Sequence, residues 1–283
     1  MFSVNSQLTQ LISRHLPGYS AEELSITSVS GLTGTSWQIA NHHPCWLAKP
    51  LARTDAVLGI NRWREYHFLK RLSAVGLAAA PLLITNQWLI SGWIDGQLMD
   101  KATWISADGR SMLADSLVKL HRQPTVGFSL DLHQRFIRYW QSIDRHRITP
   151  NWLRLHQSML RSPCPRPLKL APTHLDLHPD NIVLTANGPV LIDWEYAIDA
   201  DIAFELAALF DGNRWDQAAE ADFLQHYIRA GGYEDLETLA RQVALWKPYT
   251  HYLMLMWYET RWQQTRNSLY LEASDLLRSD YAI

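Results

Sequence analysis

The chain has 283 residues, of which 47% are hydrophobic and 19% charged, enough for a packed core and, at about 150 residues per domain, for two lobes. A formal net charge of -2 lacks the basic surplus of a general nucleic-acid binder. Cys45 and Cys164 form no C-x-x-C pair, which fits free thiols in a reducing compartment better than a disulfide framework or a structural zinc site.

The opening segment MFSVNSQLTQLISRHLPG lacks the basic start and pure apolar stretch of a secretory signal. Within it, residues 7–16 read as a short amphipathic helix stopped by Pro17-Gly18. Strands follow at Ile26–Val29 and Trp37–Ala40, on either side of Gly31-Leu-Thr-Gly34-Thr35-Ser36. A further strand, Cys45–Lys49, comes after the turn Asn41-His-His-Pro44. Thr54 or Asp55 is placed to cap a helix whose apolar positions are Ile60, Trp63, Tyr66, Leu69 and Leu72, with Gly76 as its stop. Pro81–Ile84 and Trp88–Trp93 are two more strands.

Beyond Gly96 the pattern turns mainly helical, over 106–121, 128–160 and 215–283, interrupted by one β island at 170–196. The expected fold is α+β, with an N-terminal antiparallel sheet and one helix over 1–94 and a larger, mainly helical lobe over 95–283. The most apolar later stretch, Leu245–Tyr258, contains Lys247, Pro248 and His251 and falls short of the ~20 apolar residues that span a bilayer. A soluble cytoplasmic protein with no membrane partner is expected.

The β island carries the chemistry. It reads His174-Leu-Asp176-Leu-His178-Pro-Asp180-Asn181, an apolar run, Asn187-Gly188, a second apolar run, then Asp193-Trp-Glu195. Asn-Gly between apolar runs signals a hairpin. Folding it there sets Ile182 opposite Asp193, give or take one residue, and brings Asn181 and Asp193 together at its open end. A carboxylate beside an amide oxygen suits magnesium, which also takes phosphate oxygens. Asp176, in the loop just before, is placed to accept a proton from a hydroxyl. Together they meet most needs of phosphoryl transfer.

His174-x-Asp176, Asn181 after four intervening residues, and Asp193 resemble the catalytic segment of the aminoglycoside phosphotransferase and choline kinase superfamily, which shares the protein-kinase fold. That resemblance implies Asp176 as catalytic base, Asn181 and Asp193 as magnesium ligands, and ATP as phosphoryl donor. It also implies a phosphate-holding lysine with a glutamate partner. Lys49, on Cys45-Trp-Leu-Ala-Lys49, and Glu65 fit those places, with Arg53, Arg62 and Arg64 as competitors. Gly31, Gly34, Thr35 and Ser36 would form the loop over the phosphates. The linker Ser91-Gly92-Trp93-Ile94 would offer backbone groups to adenine.

A closer likeness runs through Arg166–His178, Leu191–Ala197, Asp199–Ala208, Gly31–Gly34 and Trp257–Trp262, which resemble bacterial thiamine kinases. It implies a small-molecule substrate, thiamine. A thiazolium cation agrees with an aromatic and acidic C-terminal region, in which Trp257, Glu259 and Trp262 are substrate candidates. Rival readings are choline or aminoglycoside phosphorylation, a nucleotide-binding pseudokinase, and a metallohydrolase using His174-x-Asp176-x-His178.

Overall fold

The computed structural model describes residues 3–16, 19, 23–30, 35–51 and 55–283. The first helix, α1 (Val4–His15), is capped by Ser3, whose side chain accepts from the Ser6 N–H. Its Leu8 and Ile12, one turn apart, pack with Ile39, Ala48, Trp88 and Ile90 of the first sheet. That sheet comprises β1 (Ser25–Ser30), β2 (Thr35–Asn41), β3 (His43–Pro50), β4 (Pro81–Ile84) and β5 (Trp88–Gly92), in the antiparallel order β1-β2-β3-β5-β4.

The predicted first-lobe helix differs from the one observed. Thr54 lies outside the described residues, and Asp55 opens only the four-residue α2 (Asp55–Leu58). The chain then turns at Gly59, with φ at +75°, and restarts as α3 (Arg62–Ser73), capped by Asn61. Two reasons combine at Gly59. The backbone is left-handed, and the guanidinium of Arg135 stands where a Cβ would be. The buried face of α3 also differs from the apolar reading: Trp63 is 47% exposed, while Arg62, Arg64 and Glu65 are buried with Phe68, Leu69 and Leu72. Gly76, at φ +69°, lies just past the helix end, as expected.

Beyond Gly92, β6 (Gln97–Leu98) pairs with β8 (Ile182–Thr185), which forms a hairpin with β9 (Gly188–Leu191). Strand β7 (Leu170–Thr173) pairs with β10 (Ile198–Asp201), a strand the apolar pattern did not reveal. Helices α4 (Lys101–Ile105), α5 (Ala107–His121), α6 (Leu132–Ser142), α7 (Pro150–Arg161), α8 (Ile202–Gly212), α9 (Gln217–Arg229), α10 (Leu236–Thr265) and α11 (Ser268–Asp280) surround these strands. Their core includes Trp152, Trp194, Phe204 and Phe210. No described helix is long and apolar enough to cross a membrane.

One buried histidine gives this core an acid sensitivity. His156 stacks on Trp140 with ring centroids 4.0 Å apart and pairs through Nδ1 with the Tyr252 hydroxyl at 2.8 Å. Burial pushes its pKa down to about 4. The unfolded chain therefore binds the extra proton first, and stability present above pH ~6.5 is lost as pH falls toward 4. The unfolding midpoint should fall over that range. In His156→Asn, which keeps an acceptor but does not titrate there, the fall should be shallower; an unchanged slope would remove His156 as its cause.

Candidate active site

The hairpin turns one residue earlier than expected. Thr185 pairs with Gly188, so Ala186 and Asn187 form the loop and Ile182 opposes Leu191, not Asp193. Thr185 Oγ1 accepts from the Asn187 N–H at 3.1 Å and donates to the Gly188 carbonyl at 2.8 Å, which fixes the turn. Asp193 lies past the strand end, in left-handed backbone at φ 63°. The Ile192 N–H donates to the Asn181 carbonyl at 3.0 Å, and Asn181 and Asp193 line one cavity.

That cavity, of about 710 Å³, also contains Lys49, Glu65, Ser36, Gly92, Trp93 and Asp176. Strand β3 and helix α3 bring Lys49 Nζ to 2.8 Å from Glu65, and the loop after β9 brings Asp193 to 2.5 Å on its other side. Burial alone would depress the Lys49 pKa, but the charges of Asp193 and Glu65 overcome it and hold the ammonium above its ordinary range. The same pairs hold Glu65 and Asp193 below the usual carboxylate range despite their burial.

Arg62 joins this network from one turn before Glu65. Its Nη1 donates to Glu65 at 2.6 Å and to Glu195 at 3.0 Å. In the sequence Arg62 stands only as a rival to Lys49, and Glu195 has no role. Only the i,i+3 spacing of Arg62 and Glu65 hinted at the pair.

Asp176 follows Leu175, which is held at φ 64°. Its pKa is pushed up to about 7, first by burial and then by the charges of Asp193 and Glu195. Its backbone N–H donates to His174 Nδ1 at 3.3 Å, and His174 Nε2 meets the Ile192 carbonyl at 2.8 Å. Both ring nitrogens of His174 are thus used within the loop, which removes it from any metal-ligand set of the His174-x-Asp176-x-His178 kind. Glu205 of α8 secures the loop from beneath, accepting from the N–H groups of His174 and Leu175 at 2.8 to 2.9 Å. Asn181 Nδ2 donates to the Asp176 carbonyl at 2.8 Å, which reserves Oδ1 as an oxygen donor. Amide and carboxylate oxygens in one cavity fit a hard cation.

The other predicted residues fall as follows. Gly31 and Gly34 lie outside the described residues, and of Thr35 only its place at the start of β2 is described. Gly92 and Trp93 line the cavity, but their N–H groups already donate to the carbonyls of Ala80 and Cys45 at 2.8 and 2.9 Å. Of the backbone groups expected to meet adenine, these two N–H donors are therefore taken by neighbouring strand and loop carbonyls.

A second cavity, of about 620 Å³, meets the first at Asp176, His178 and Asp180. Tyr196, Trp257, Tyr258 and Tyr270 line it, and Trp257 Nε1 donates to the Tyr196 hydroxyl at 2.8 Å. Of the C-terminal candidates only Trp257 is in its wall. Trp262 is not among the lining residues, and the Arg266 guanidinium covers its ring at 5.2 Å. Glu259 must be corrected. It is fully buried on the opposite side of α10, bound by Arg147 at 2.8 to 3.0 Å, by Ser274 at 2.5 Å and by Arg278 at 3.4 Å. Two residues along a helix turn a side chain well away, so Trp257 and Glu259 cannot share a face.

The phosphotransferase enzyme family matches residues 62–243. A thiamine kinase of Salmonella paratyphi A is 34% identical over 275 residues, covering 96% of this chain and 94% of that protein. Choline kinase LicA from Streptococcus pneumoniae shares the fold, with a TM-score of 0.75 at 19% identity over 98% of each chain. LicA in complex with AMP superposes with the same TM-score of 0.75 at 18% identity, covering 100% of this chain and 99% of that one.

Proposed function

The chain belongs to the phosphotransferase enzyme family and, within it, to the thiamine kinases, and from that premise we propose that it transfers the γ-phosphoryl group of ATP to the hydroxyl of thiamine. The observation that carries this reading is the meeting of two cavities at Asp176, one lined by Lys49, Asn181 and Asp193, the other by aromatic rings. The N-terminal lobe, 1–94, would supply most of the nucleotide cavity, and the lobe 95–283 the acceptor cavity.

In this mechanism the thiamine hydroxyl oxygen bonds to the γ-phosphorus as the bond from that phosphorus to the β–γ bridging oxygen breaks, and ADP leaves. Asp176 takes the hydroxyl proton. Lys49 holds phosphate oxygens, and Glu65 keeps its ammonium in place. Asn181 and Asp193 would hold magnesium, which when bound offsets phosphate charge. Tyr196, Trp257, Tyr258 and Tyr270 would supply aromatic surface to the thiazolium, an attraction worth about 0.5–2 kcal/mol at each well-placed face.

The deciding experiment is ADP release from ATP and magnesium with thiamine, choline or kanamycin as acceptor. Thiamine-dependent release with formation of thiamine phosphate is expected. Turnover of choline or kanamycin alone would discard the substrate while keeping the chemistry. Asp193→Ala should lose magnesium-dependent nucleotide binding, measured by titration calorimetry with and without the ion; equal binding in both would remove Asp193 from the metal site. Glu259→Gln should lower unfolding stability by about 3 kcal/mol, since it strips the counter-charge from two arginines. It should leave KM for thiamine unchanged, whereas a large rise in KM with stability intact would return Glu259 to the substrate site.

A further inference from the structure

The second cavity runs well past the aromatic residues beside Asp176. On α10, Thr250 and Trp257 both line it, seven residues and about 10 Å apart along the helix axis. A thiazolium alcohol therefore occupies one end only. At the other end α8 presents small residues, Ala208 and Gly212, across from Met254, whose Sδ lies 4.0 Å from where a Gly212 Cβ would stand. This leaves an apolar wall suited to a flat ring.

Asn213 follows Gly212 in that wall. Its Nδ2 donates to the Leu177 carbonyl at 2.7 Å and to the Leu209 carbonyl at 2.8 Å. Both amide hydrogens are thus spent, and the side chain cannot flip without losing them. Its Oδ1 accepts from no described residue. Capping α8 and bracing the catalytic loop account for the two donors, but not for a fixed acceptor in a cavity wall.

We propose that Asn213 Oδ1 accepts from the exocyclic amino group of a second, uncharged nitrogen heterocycle seated against the wall that Met254 and the small residues of α8 form together. The site would thereby select alcohols whose cation carries an amino-substituted ring. This inference rests on the thiamine kinase reading, since the aminopyrimidine of thiamine is such a ring, one methylene from the thiazolium. It explains how a fold shared with a choline kinase is made selective for a two-ring substrate.

The test compares kcat/KM for three acceptors: thiamine, its analogue with hydrogen in place of the 4-amino group, and the N-methylthiazolium alcohol without the pyrimidine. The wild-type protein should favour thiamine over the deamino analogue by about 5-fold or more, chiefly through KM, because the ring is remote from the reacting atoms. In Asn213→Ala that ratio should fall to near one. A wild-type ratio near one, with all three acceptors turned over, leaves the kinase reading standing and overturns the subsite. A ratio preserved in Asn213→Ala also overturns it. Turnover of none of the three acceptors defeats the kinase reading and the subsite together. The wild-type ratio needs no variant, so a poorly folded Asn213→Ala would not shield the proposal.

Discussion

Asp176→Asn should reduce kcat by about 100-fold or more while nucleotide affinity stays close to that of the wild type. The amide keeps the shape of the carboxylate but cannot take the hydroxyl proton. Lys49 and Asp193, which line the nucleotide cavity, make no hydrogen bond to Asp176, and the 3.4 Å bond from Asn181 Nδ2 to Asp176 Oδ2 can be kept by the amide oxygen. The pH dependence follows from the same residue. A base must be deprotonated to act, and burial, with Asp193 and Glu195 nearby, pushes Asp176 up to about 7. The wild-type rate should therefore rise with pH through neutrality, and the variant should lose that ascending limb. A magnesium ion beside Asp193 would draw the limb to lower pH by cancelling part of the repulsion. Steady-state assays across pH would decide the assignment, and near-normal kcat in a folded, nucleotide-binding variant would sink it.

What could be read from the sequence was the chemistry carried by neighbours in the chain. Asp176, Asn181 and Asp193 fall within one short segment, and a hairpin between them forces the last two together. The exact turn was not legible, because the Thr185 hydroxyl captures it one residue before Asn-Gly would. Lys49 and Glu65 were found through order along the fold, and the structure joins them at 2.8 Å. The residues missed are those whose meaning is tertiary. Arg62 looks like an ordinary surface charge on a helix, yet it is buried against Glu195, more than a hundred residues away. Glu259 failed in the opposite direction. A carboxylate near tryptophans suggests a cation site, but nothing local reveals that Arg147 and Arg278 reach it from behind.

Glu205→Ala should be the most damaging substitution away from the reacting atoms, lowering unfolding stability by about 3–5 kcal/mol. Glu205 is 1% exposed and receives the His174 and Leu175 N–H groups, with His121 Nε2 at 3.2 Å. Alanine would leave two buried N–H donors without an acceptor, each costing about 1–3 kcal/mol. It would also release the chain at Leu175, whose left-handed backbone is unfavourable for a leucine by about 1–2 kcal/mol and persists because its N–H is held. His121 in turn pairs through Nδ1 with the Tyr227 hydroxyl at 2.7 Å, so a buried chain from α9 through α5 and α8 sets the position of Asp176. The variant that remains folded should therefore show a kcat defect larger than its loss of nucleotide affinity, since Lys49 is held by Glu65 and Asp193, and this chain reaches Asp193 only through the bond of His174 Nε2 to the neighbouring Ile192 carbonyl. Glu205→Gln, which keeps one carbonyl oxygen for the loop, should recover part of both losses. Denaturant unfolding and steady-state kinetics would test this together. An unchanged denaturant midpoint in Glu205→Ala would show that the loop holds its left-handed turn without Glu205. A stability loss with kcat intact would make Glu205 a core residue with no part in aligning the base.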